Sequence, residues 1–175
     1  MKAFMLPFFI LLSLILCNCN LFKNLETQPQ MPPITQTGAN TFGCMYNGKL
    51  WLPGGYNGTD NYQVSYDKSY GGSFDISTYR YGDSDNDQQY IYIFVWGLYQ
   101  TGTYYLKNKG KLAIILRDRK PRCFYDSTDS LQFASGYVTI TKLDMGIISG
   151  TFEFTLAKQC CDTIKVTNGR FDKKL

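Results

Sequence analysis

The sequence predicts a single all-β domain, and three observations carry this prediction. Several stretches alternate apolar and polar residues with a period of two, which is the pattern of a strand with one buried face. Turn signals separate these stretches at intervals of roughly 8 to 15 residues, and no helical period interrupts them. The chain of 175 residues contains 14 Tyr and 12 Phe, residues that favour strands. We expect one antiparallel meander over residues 41–175 that closes as a β-barrel or folds as a two-sheet β-sandwich, and the pattern does not choose between these closures.

The first half of the predicted domain contains a hairpin and two further strands. Thr41–Leu52 is predicted to form a hairpin, because Asn47-Gly48 lies between two apolar runs and favours a type I′ turn. Ser73–Tyr81 alternates and predicts a strand with one buried face. Gln89–Leu98 is apolar on both faces, which predicts a strand covered on both sides.

The second half of the chain continues the strand pattern. Further strands are predicted at Thr103–Leu106, Leu112–Leu116, Leu131–Leu143, Ile148–Leu156 and Ile164–Thr167. Asn168-Gly169 predicts a turn into the last segment, Arg170–Leu175. In such a meander the chain runs in the same direction through residues 112–124 and 147–157, so both stretches end at the same end of the sheet.

Four cysteines fall within the predicted domain: Cys44, Cys123, Cys160 and Cys161. The predicted meander brings Cys123 to the same end of the sheet as the adjacent residues Cys160 and Cys161. A disulfide from Cys123 to one member of the pair closes a loop of about 37 residues and stabilises the fold by roughly 3–4 kcal/mol, with Cys44 as the candidate partner of the other. Adjacent cysteines match neither the Cys-x-x-Cys redox motif nor zinc-ligand spacing, so structural disulfides or buried thiols are expected.

The N-terminus carries an export signal. Residues 4–16 are almost continuously apolar, too short for a membrane-spanning helix of roughly 20 residues and typical of a secretory signal. The run ends in a segment that resembles the lipobox of bacterial lipoproteins, with Leu16 three residues before Cys19 and the small Asn18 between them. Cys17 is the alternative lipidation site, although bulky Leu16 precedes it. We expect a signal peptide over residues 1–18 and a membrane anchor on Cys19, since each buried methylene contributes about 0.8 kcal/mol.

Residues 19–40 are predicted to form a flexible linker between the lipid and the domain. The segment is polar and holds Pro29, Pro32 and Pro33 without helical or alternating period. The predicted folded domain therefore begins at Thr41.

The composition removes several classes of enzyme. The chain has no histidine, which excludes Ser-His and Cys-His nucleophile pairs and His-ligated metals. Three acidic residues at predicted turns could serve as hydrolase carboxylates, but nothing in the sequence pairs them: Asp126, Asp129 and Asp144. We expect no catalytic residue and no cofactor.

One acidic motif is a weak calcium candidate. Asp83, Asp85 and Asp87 form a D-x-D-x-D pattern, and three carboxylates on one turn can share a hard cation. Gln88 occupies the position where an EF-hand loop requires Gly. A solvated turn is the favoured interpretation, because Asp is common in turns.

A basic segment covers the predicted hairpin of residues 103–116 and the stretch after it. Its cations are Lys107, Lys109, Lys111, Arg117, Arg119, Lys120 and Arg122. Outside the cytoplasm nucleic acid is not an expected partner, whereas anionic lipids or acidic glycans are attracted by such a field. The favoured interpretation is an edge strand protected by charge.

Four aromatic residues share one face of a predicted strand: Tyr90, Tyr92, Phe94 and Trp96. They are a candidate ligand face that lines a cavity or stacks against sugar rings. The favoured interpretation is one half of the core, because a small β domain must bury much of its aromatic area.

Four segments at the two ends of the predicted domain are informative when taken together: residues 41–51 (TFGCMYNGKLW), 136–144 (GYVTITKLD), 148–154 (ISGTFEF) and 162–172 (DTIKVTNGRFD). In these segments the chain resembles a family of small envelope lipoproteins of Bacteroidota-type bacteria. The function of that family is unknown, so the resemblance implies an envelope location and a β fold and no site residues. An acidic stretch after the lipidated cysteine can direct such proteins to the outer surface, and residues 20–25 contain no acid.

These observations together predict a lipid-anchored protein of the cell envelope, at the outer membrane, with a non-enzymatic structural or interaction role. Its partners are the membrane and an envelope protein, a hydrophobic small molecule or a glycan. The alternative is a barrel or sandwich module that binds a hydrophobic small molecule or a glycan. An open, aromatic-lined cavity favours that alternative and a filled interior counts against it.

Overall fold

The computed structural model describes residues 29–81, 88–107, 110–119, 122–129 and 131–175. These residues form strands, turns and bends without a helix, as the sequence predicts. Within them no helix has the length and apolarity that a membrane crossing requires. Residues Met31–Leu175 make up one compact unit, which begins ten residues before the predicted boundary at Thr41.

The described strands form two antiparallel sheets. The strands are β1 (Thr41–Tyr46), β2 (Lys49–Trp51), β3 (Tyr62–Asp67), β4 (Ser73–Arg80), β5 (Gln89–Val95), β6 (Gly102–Tyr105), β7 (Leu112–Asp118), β8 (Cys123–Asp126), β9 (Phe133–Asp144), β10 (Ile147–Ala157) and β11 (Ile164–Lys174). The first sheet has the order β2-β1-β11-β10-β9-β6 and the second β3-β4-β5-β7-β8. Neither sheet closes on itself within the described residues, so the arrangement is consistent with the sandwich closure.

The prediction of one continuous meander is wrong, because several pairs of consecutive strands, such as β2 and β3 or β8 and β9, lie in different sheets. The chain leaves the second sheet after β5, adds β6 to the edge of the first sheet beside β9, and returns so that β7 pairs with β5. The first strand, β1, pairs with the last, β11. The chain therefore crosses between the sheets, a long-range arrangement that period-two patterning does not encode.

Two Asn-Gly dipeptides have different structural roles. Asn47-Gly48 forms the predicted tight turn: Tyr46 pairs directly with Lys49, and both turn residues have positive φ (47° and 78°), as a type I′ turn requires. Asn168-Gly169, predicted as a turn, instead lies inside β11. There the register of β11 gains one residue against both β1 and β10, so Asn168 with φ 54° marks a β-bulge.

The inner faces of the two sheets fill the space between them. Ile148, Phe152, Phe154 and Leu156 form the buried face of β10 as predicted, and they are at most 2% exposed. They belong to one continuous cluster with residues of β4, β5 and β7 from the second sheet, including Phe74, Ile76, Ile91, Ile93, Ile114 and Leu116. At about 25 cal/mol per Å² of buried apolar surface, this shared core is the main source of stability.

The two faces of β5 have different surroundings. Ile91, Ile93 and Val95 point into the core and are fully buried. The alternate residues from Tyr90 to Trp96 lie on the outer face, where they are partly exposed. The predictions that β5 is covered on both sides and that these aromatics belong to the core are therefore wrong, because the second sheet has no layer packed on its outside within the described residues.

A disulfide joins the two sheets. Cys123 in β8 is bonded to Cys161, which lies in the connection between β10 and β11. This pairing is among the predicted ones, but Cys123 lies in the second sheet and Cys161 in a connection of the first sheet, so the two do not lie at one end of a single sheet. Cys44 is fully buried and Cys160 is exposed, and both are free thiols. The suggested bond from Cys44 is therefore wrong, because Cys44 points from β1 into the core.

The segment before β1 packs along the first sheet. Its backbone and hydroxyl groups donate hydrogen bonds to the carboxylate of Asp172 in β11, from Thr35, Thr37, Gly38 and Ala39 at 2.7–3.4 Å. Ser149 of β10 donates a further bond of 2.7 Å. The part of the predicted linker from Met31 onward thus covers the outer side of β11 and buries Asp172, which is 1% exposed.

Candidate binding face

The outer face of β5 carries a continuous row of aromatic rings. The rings of Tyr92 and Phe94 lie 6.5 Å apart and nearly parallel, and those of Phe94 and Trp96 lie 6.2 Å apart. Tyr90 precedes them on the same face, and its hydroxyl shares a 2.6 Å hydrogen bond with Ser77. Because strands rise about 3.3 Å per residue, the row is about 20 Å long. The structure therefore brings all four predicted ligand-face residues together, on the surface of the sheet.

The turn between β3 and β4 holds the end of this row in place. The Asp67 carboxylate accepts hydrogen bonds from Ser69 and from the backbone of Tyr70, and these bonds lower the pKa of Asp67. The turn places the Tyr70 ring edge-on to Trp96 at 5.7 Å. Gly71, with φ 64°, lies directly against the indole, where a Cβ would overlap the ring. The indole of Trp96 thus packs on Gly71, and Trp96 is 38% exposed.

Polar side chains line one side of the row. Ser77 and Asp75 of β4 pair with Tyr92 and Phe94 and point to the same outer face. Burial raises the pKa of the Asp75 carboxyl, and within the described residues no hydrogen bond reaches its oxygens. Burial, followed by the nearby Asp75, also raises the pKa of Tyr92. Asp75 is therefore a half-buried acceptor that lies beside the aromatic rings.

The other side of the row leads to a cluster of arginines. Tyr90 pairs with Arg117 of β7, and Arg117 pairs with Phe124 of β8, so these three side chains form one line across the outer face. The Arg117 guanidinium lies over the Phe124 ring at 5.5 Å. A surface cavity of about 400 Å³ adjoins them, and its lining includes Arg119 and Arg122.

The predicted basic segment does not form one protected hairpin. Lys107 follows β6 in the first sheet, where its ammonium lies over Tyr105 at 5.1 Å. Arg117 belongs to β7, which is an internal strand because β8 lies at the edge. The segment is therefore divided between the two sheets. Lys109 and Lys120 lie outside the described residues.

The lipidation candidates Cys17 and Cys19 and the calcium candidates Asp83, Asp85 and Asp87 lie outside the described residues. Across the described ranges, no three acidic or cysteine side chains gather as a metal site would require.

The three turn carboxylates belong to different parts of the fold. Asp126 accepts hydrogen bonds from Thr128 at the end of β8, and Asp129 lies in the same turn. Asp144 ends β9 in the other sheet and forms a 2.7 Å ion pair with Lys142. These positions give no facing pair of acids between the two sheets.

Sequence reasoning found the aromatic row but not its neighbours. The roles of Asp75 and Ser77 follow from the β4–β5 register, and that of Arg117 from the β5–β7 register, across a connection that includes β6. One sequence signal could have identified Asp75 and Ser77: residues 73–77 alternate between polar and apolar, so the polar side chains point to the outer face of β4. Comparison with protein-family models, curated proteins and solved structures found no match to this chain.

Proposed function

We propose that the protein is a lipid-anchored component of the cell envelope that binds a glycan on the aromatic face of β5 and has no catalytic role. The observation that carries this proposal is the row of aromatic rings from Tyr90 to Trp96, which is exposed on the outer face of the second sheet beside the polar Asp75 and Ser77 of β4. A solvated sheet face is normally polar, and an exposed apolar row of this kind marks an interaction site.

The chemistry of the row suits sugars in particular. One face of a pyranose ring is lined by C–H bonds that pack on an aromatic ring, while its hydroxyls require hydrogen-bond partners at the rim. The parallel rings of Tyr92 and Phe94 provide the aromatic surface for the C–H bonds of the sugar. The carboxylate of Asp75, which accepts no hydrogen bond from the described residues, provides a partner for the sugar hydroxyls. The length of about 20 Å accommodates several sugar units along the strand.

A hydrophobic small molecule is less well supported. Such ligands occupy concave, enclosed pockets. The inward residues of β5 and β7, such as Ile93 and Ile114, are fully buried against the opposite sheet, which leaves the interior filled by side chains. The filled interior counts against the pocket alternative and favours a surface ligand.

The envelope location rests on residues 4–19, whose apolar run and Leu16–Cys19 spacing support a lipid anchor. The inter-sheet disulfide agrees with it, because disulfides persist in oxidising compartments. Mass spectrometry of the mature N-terminus tests this part directly: an acylated Cys19 is expected, an acylated Cys17 would replace it, and an unmodified chain with Met1 retained would contradict the anchor.

Binding is tested with the full chain in detergent on immobilised polysaccharides. Trp96→Ala and Asp75→Ala should each weaken retention about tenfold, since one stacked ring or one charge-assisted bond contributes about 1–2 kcal/mol. Tyr105→Ala is the matched control, because Tyr105 is similarly exposed (41% against 38% for Trp96) but lies on the other sheet.

Equal retention of the wild type and of Trp96→Ala on every polysaccharide would contradict the proposal. Turnover of a polysaccharide by the purified chain, lost on a single substitution, would contradict the non-catalytic role.

A further inference from the structure

We infer that the glycan bound on the β5 face is acidic, and that Arg117, Arg119 and Arg122 bind its carboxylate or sulfate groups at the Tyr90 end of the aromatic row. The inference rests on the proposed glycan binding and adds the charge of the ligand and its direction along the strand.

The arginines and the aromatic row form one continuous surface. Directly paired residues on neighbouring antiparallel strands have Cβ atoms about 5 Å apart and point to the same face. Arg117 is the direct neighbour of Tyr90 on one side and of Phe124 on the other. A polymer that lies along β5 therefore passes the guanidinium of Arg117 beside Tyr90, and the adjoining cavity brings Arg119 and Arg122 within its reach.

These cations are available to a ligand. Arg117, Arg119 and Arg122 are exposed, and none of them forms an ion pair with another described residue. Stacking on Phe124 orients the Arg117 guanidinium without using its N–H donors, which donate to no described residue and can therefore bind a planar, two-oxygen acceptor. Lys158 adds a fourth positive charge 6.0 Å from the same ring.

The neighbouring acids are engaged by the protein itself. Asp118 lies at the edge of the cavity, and its Oδ2 accepts bonds from Tyr46 and Gln89 at 3.0 Å. Asp126 lies two residues beyond Phe124 on the same face, and its Oδ1 accepts bonds from Thr128. The cluster thus holds four cations, and the carboxylates of Asp118 and Asp126 are already hydrogen-bonded within the protein, so the exposed guanidinium groups complement an anion.

The distribution of charge along the row gives the ligand a direction. Asp75 pairs with Phe94 and Arg117 pairs with Tyr90, so the acidic and basic ends are four residues apart on β5, or about 13 Å. An acid group placed at Asp75 would be repelled, whereas a sugar hydroxyl there donates a hydrogen bond. The acidic group therefore belongs at the arginine end, and neutral hydroxyls belong at the Asp75 end.

The test compares matched polymers that differ only in charge. The full chain in detergent is applied to polygalacturonate and to its methyl ester, and to dextran sulfate and dextran. Wild type should bind the charged member of at least one pair about tenfold more tightly, and raising NaCl from about 0.1 M to about 1 M should remove the difference as the Debye length shrinks to about 3 Å.

The variants assign the preference to the arginines. Arg117→Gln should reduce the preference for the charged polymer over the neutral one to about twofold or less. Arg119→Gln is a second variant that should also reduce this preference, and it leaves the strand and the Arg117–Phe124 contact intact. Lys107→Gln is the matched control, because Lys107 is also stacked on an aromatic ring but lies on the first sheet. Trp96→Ala should weaken binding to both members of a pair, since the ring contact does not depend on charge.

The outcomes separate this inference from the proposed function. Equal binding of both members of every pair, with loss on Trp96→Ala, would overturn the acidic ligand and leave glycan binding in place. No binding to any polymer would overturn both. A preference that survives Arg117→Gln and Arg119→Gln would overturn the role of the arginines. If Arg117→Gln instead lowers retention on phosphatidylglycerol vesicles and leaves polymer binding unchanged, the cluster serves a lipid surface and the inference fails.

Discussion

Asp172 offers the sharpest test of how the N-terminal segment is held. Its Oδ2 accepts bonds from Thr35 Oγ1, Thr37 N and Ala39 N, and its Oδ1 accepts bonds from Gly38 N and Ser149 Oγ. In Asp172→Asn one oxygen becomes an NH₂ group, which cannot accept from a backbone N–H. At least one part-buried backbone N–H then loses its partner, and the remaining bonds lose the negative charge.

The expected destabilisation follows from these losses. A buried donor left without a partner costs about 1–3 kcal/mol, and bonds to a charged acceptor are worth about twice neutral ones. We therefore expect Asp172→Asn to lower the free energy of unfolding by about 2–4 kcal/mol at neutral pH. With a urea m-value near 2 kcal/mol/M, the unfolding midpoint should fall by about 1–2 M with little change in slope.

The same carboxylate gives a signed pH dependence. Burial alone would raise the pKa of Asp172, but the bonds from Ser149, Thr35 and the backbone outweigh it and hold the pKa well below its usual range. A depressed pKa means that the stabilisation is fully present above the unfolded value of about 3.9 and is lost as the pH falls through the folded value. The difference between wild type and Asp172→Asn should therefore be constant from about pH 5 to 8 and shrink below about pH 4.

Urea titrations at these pH values measure both effects, and Asp144→Asn is the control. Asp144 is an exposed carboxylate paired with Lys142, so its loss should cost less than about 1 kcal/mol. The reasoning is refuted if Asp172→Asn unfolds at the same urea concentration as wild type at neutral pH, or if the gap between them stays constant down to about pH 2.

Three further predictions concern the disulfide, the two free cysteines and the packing of Trp96 on Gly71. Cys161→Ser should lower the free energy of unfolding by about 4 kcal/mol, the chain-entropy value for the 38-residue separation, and a thermal midpoint unaffected by the substitution would contradict the bond. In the native chain an alkylating reagent should modify Cys160 and spare Cys44, whose burial raises its pKa to about 12; peptide mass spectrometry before and after unfolding checks this, and equal modification of both in the folded protein would disagree with it. Gly71→Ala should displace the Trp96 indole, red-shift and weaken its fluorescence, and reduce polysaccharide retention about as much as Trp96→Ala, whereas Gly110→Ala, at a turn glycine with φ 77° and no neighbour in reach, should leave retention unchanged.

Local signals in the sequence predicted most of the strands. The Asn47-Gly48 turn and the alternation through Ile148–Leu156 depend on neighbours in the chain, and both are confirmed. The strand β3 was not predicted, although Tyr62, Val64 and Tyr66 alternate with Gln63, Ser65 and Asp67; its short span between glycine-rich turns hid a clear period of two.

Features that depend on distant parts of the chain could not be predicted in the same way. The two faces of β5 are almost equally apolar in sequence, so the sequence alone does not show which face is buried. The face that lies in the core is determined by the opposite sheet, which packs against it. Asn168-Gly169 has the composition of a turn, yet β1 and β10 pair with both sides of it and keep the strand continuous. The same holds for the candidate site, where period two identified the aromatic row but only the cross-strand register brings Asp75 and Arg117 to it.

The position of β11 has a consequence for how the protein is made. This strand lies between β1 and β10, so the first sheet remains split until residues 164–174 have been synthesised. A ribosome-bound chain that ends before Ile164 has two unpaired strand edges and lacks the carboxylate that fixes Thr35 to Ala39. Contacts so distant in sequence close slowly. The second sheet, whose strands end at Asp126, can therefore pair before the first sheet is complete.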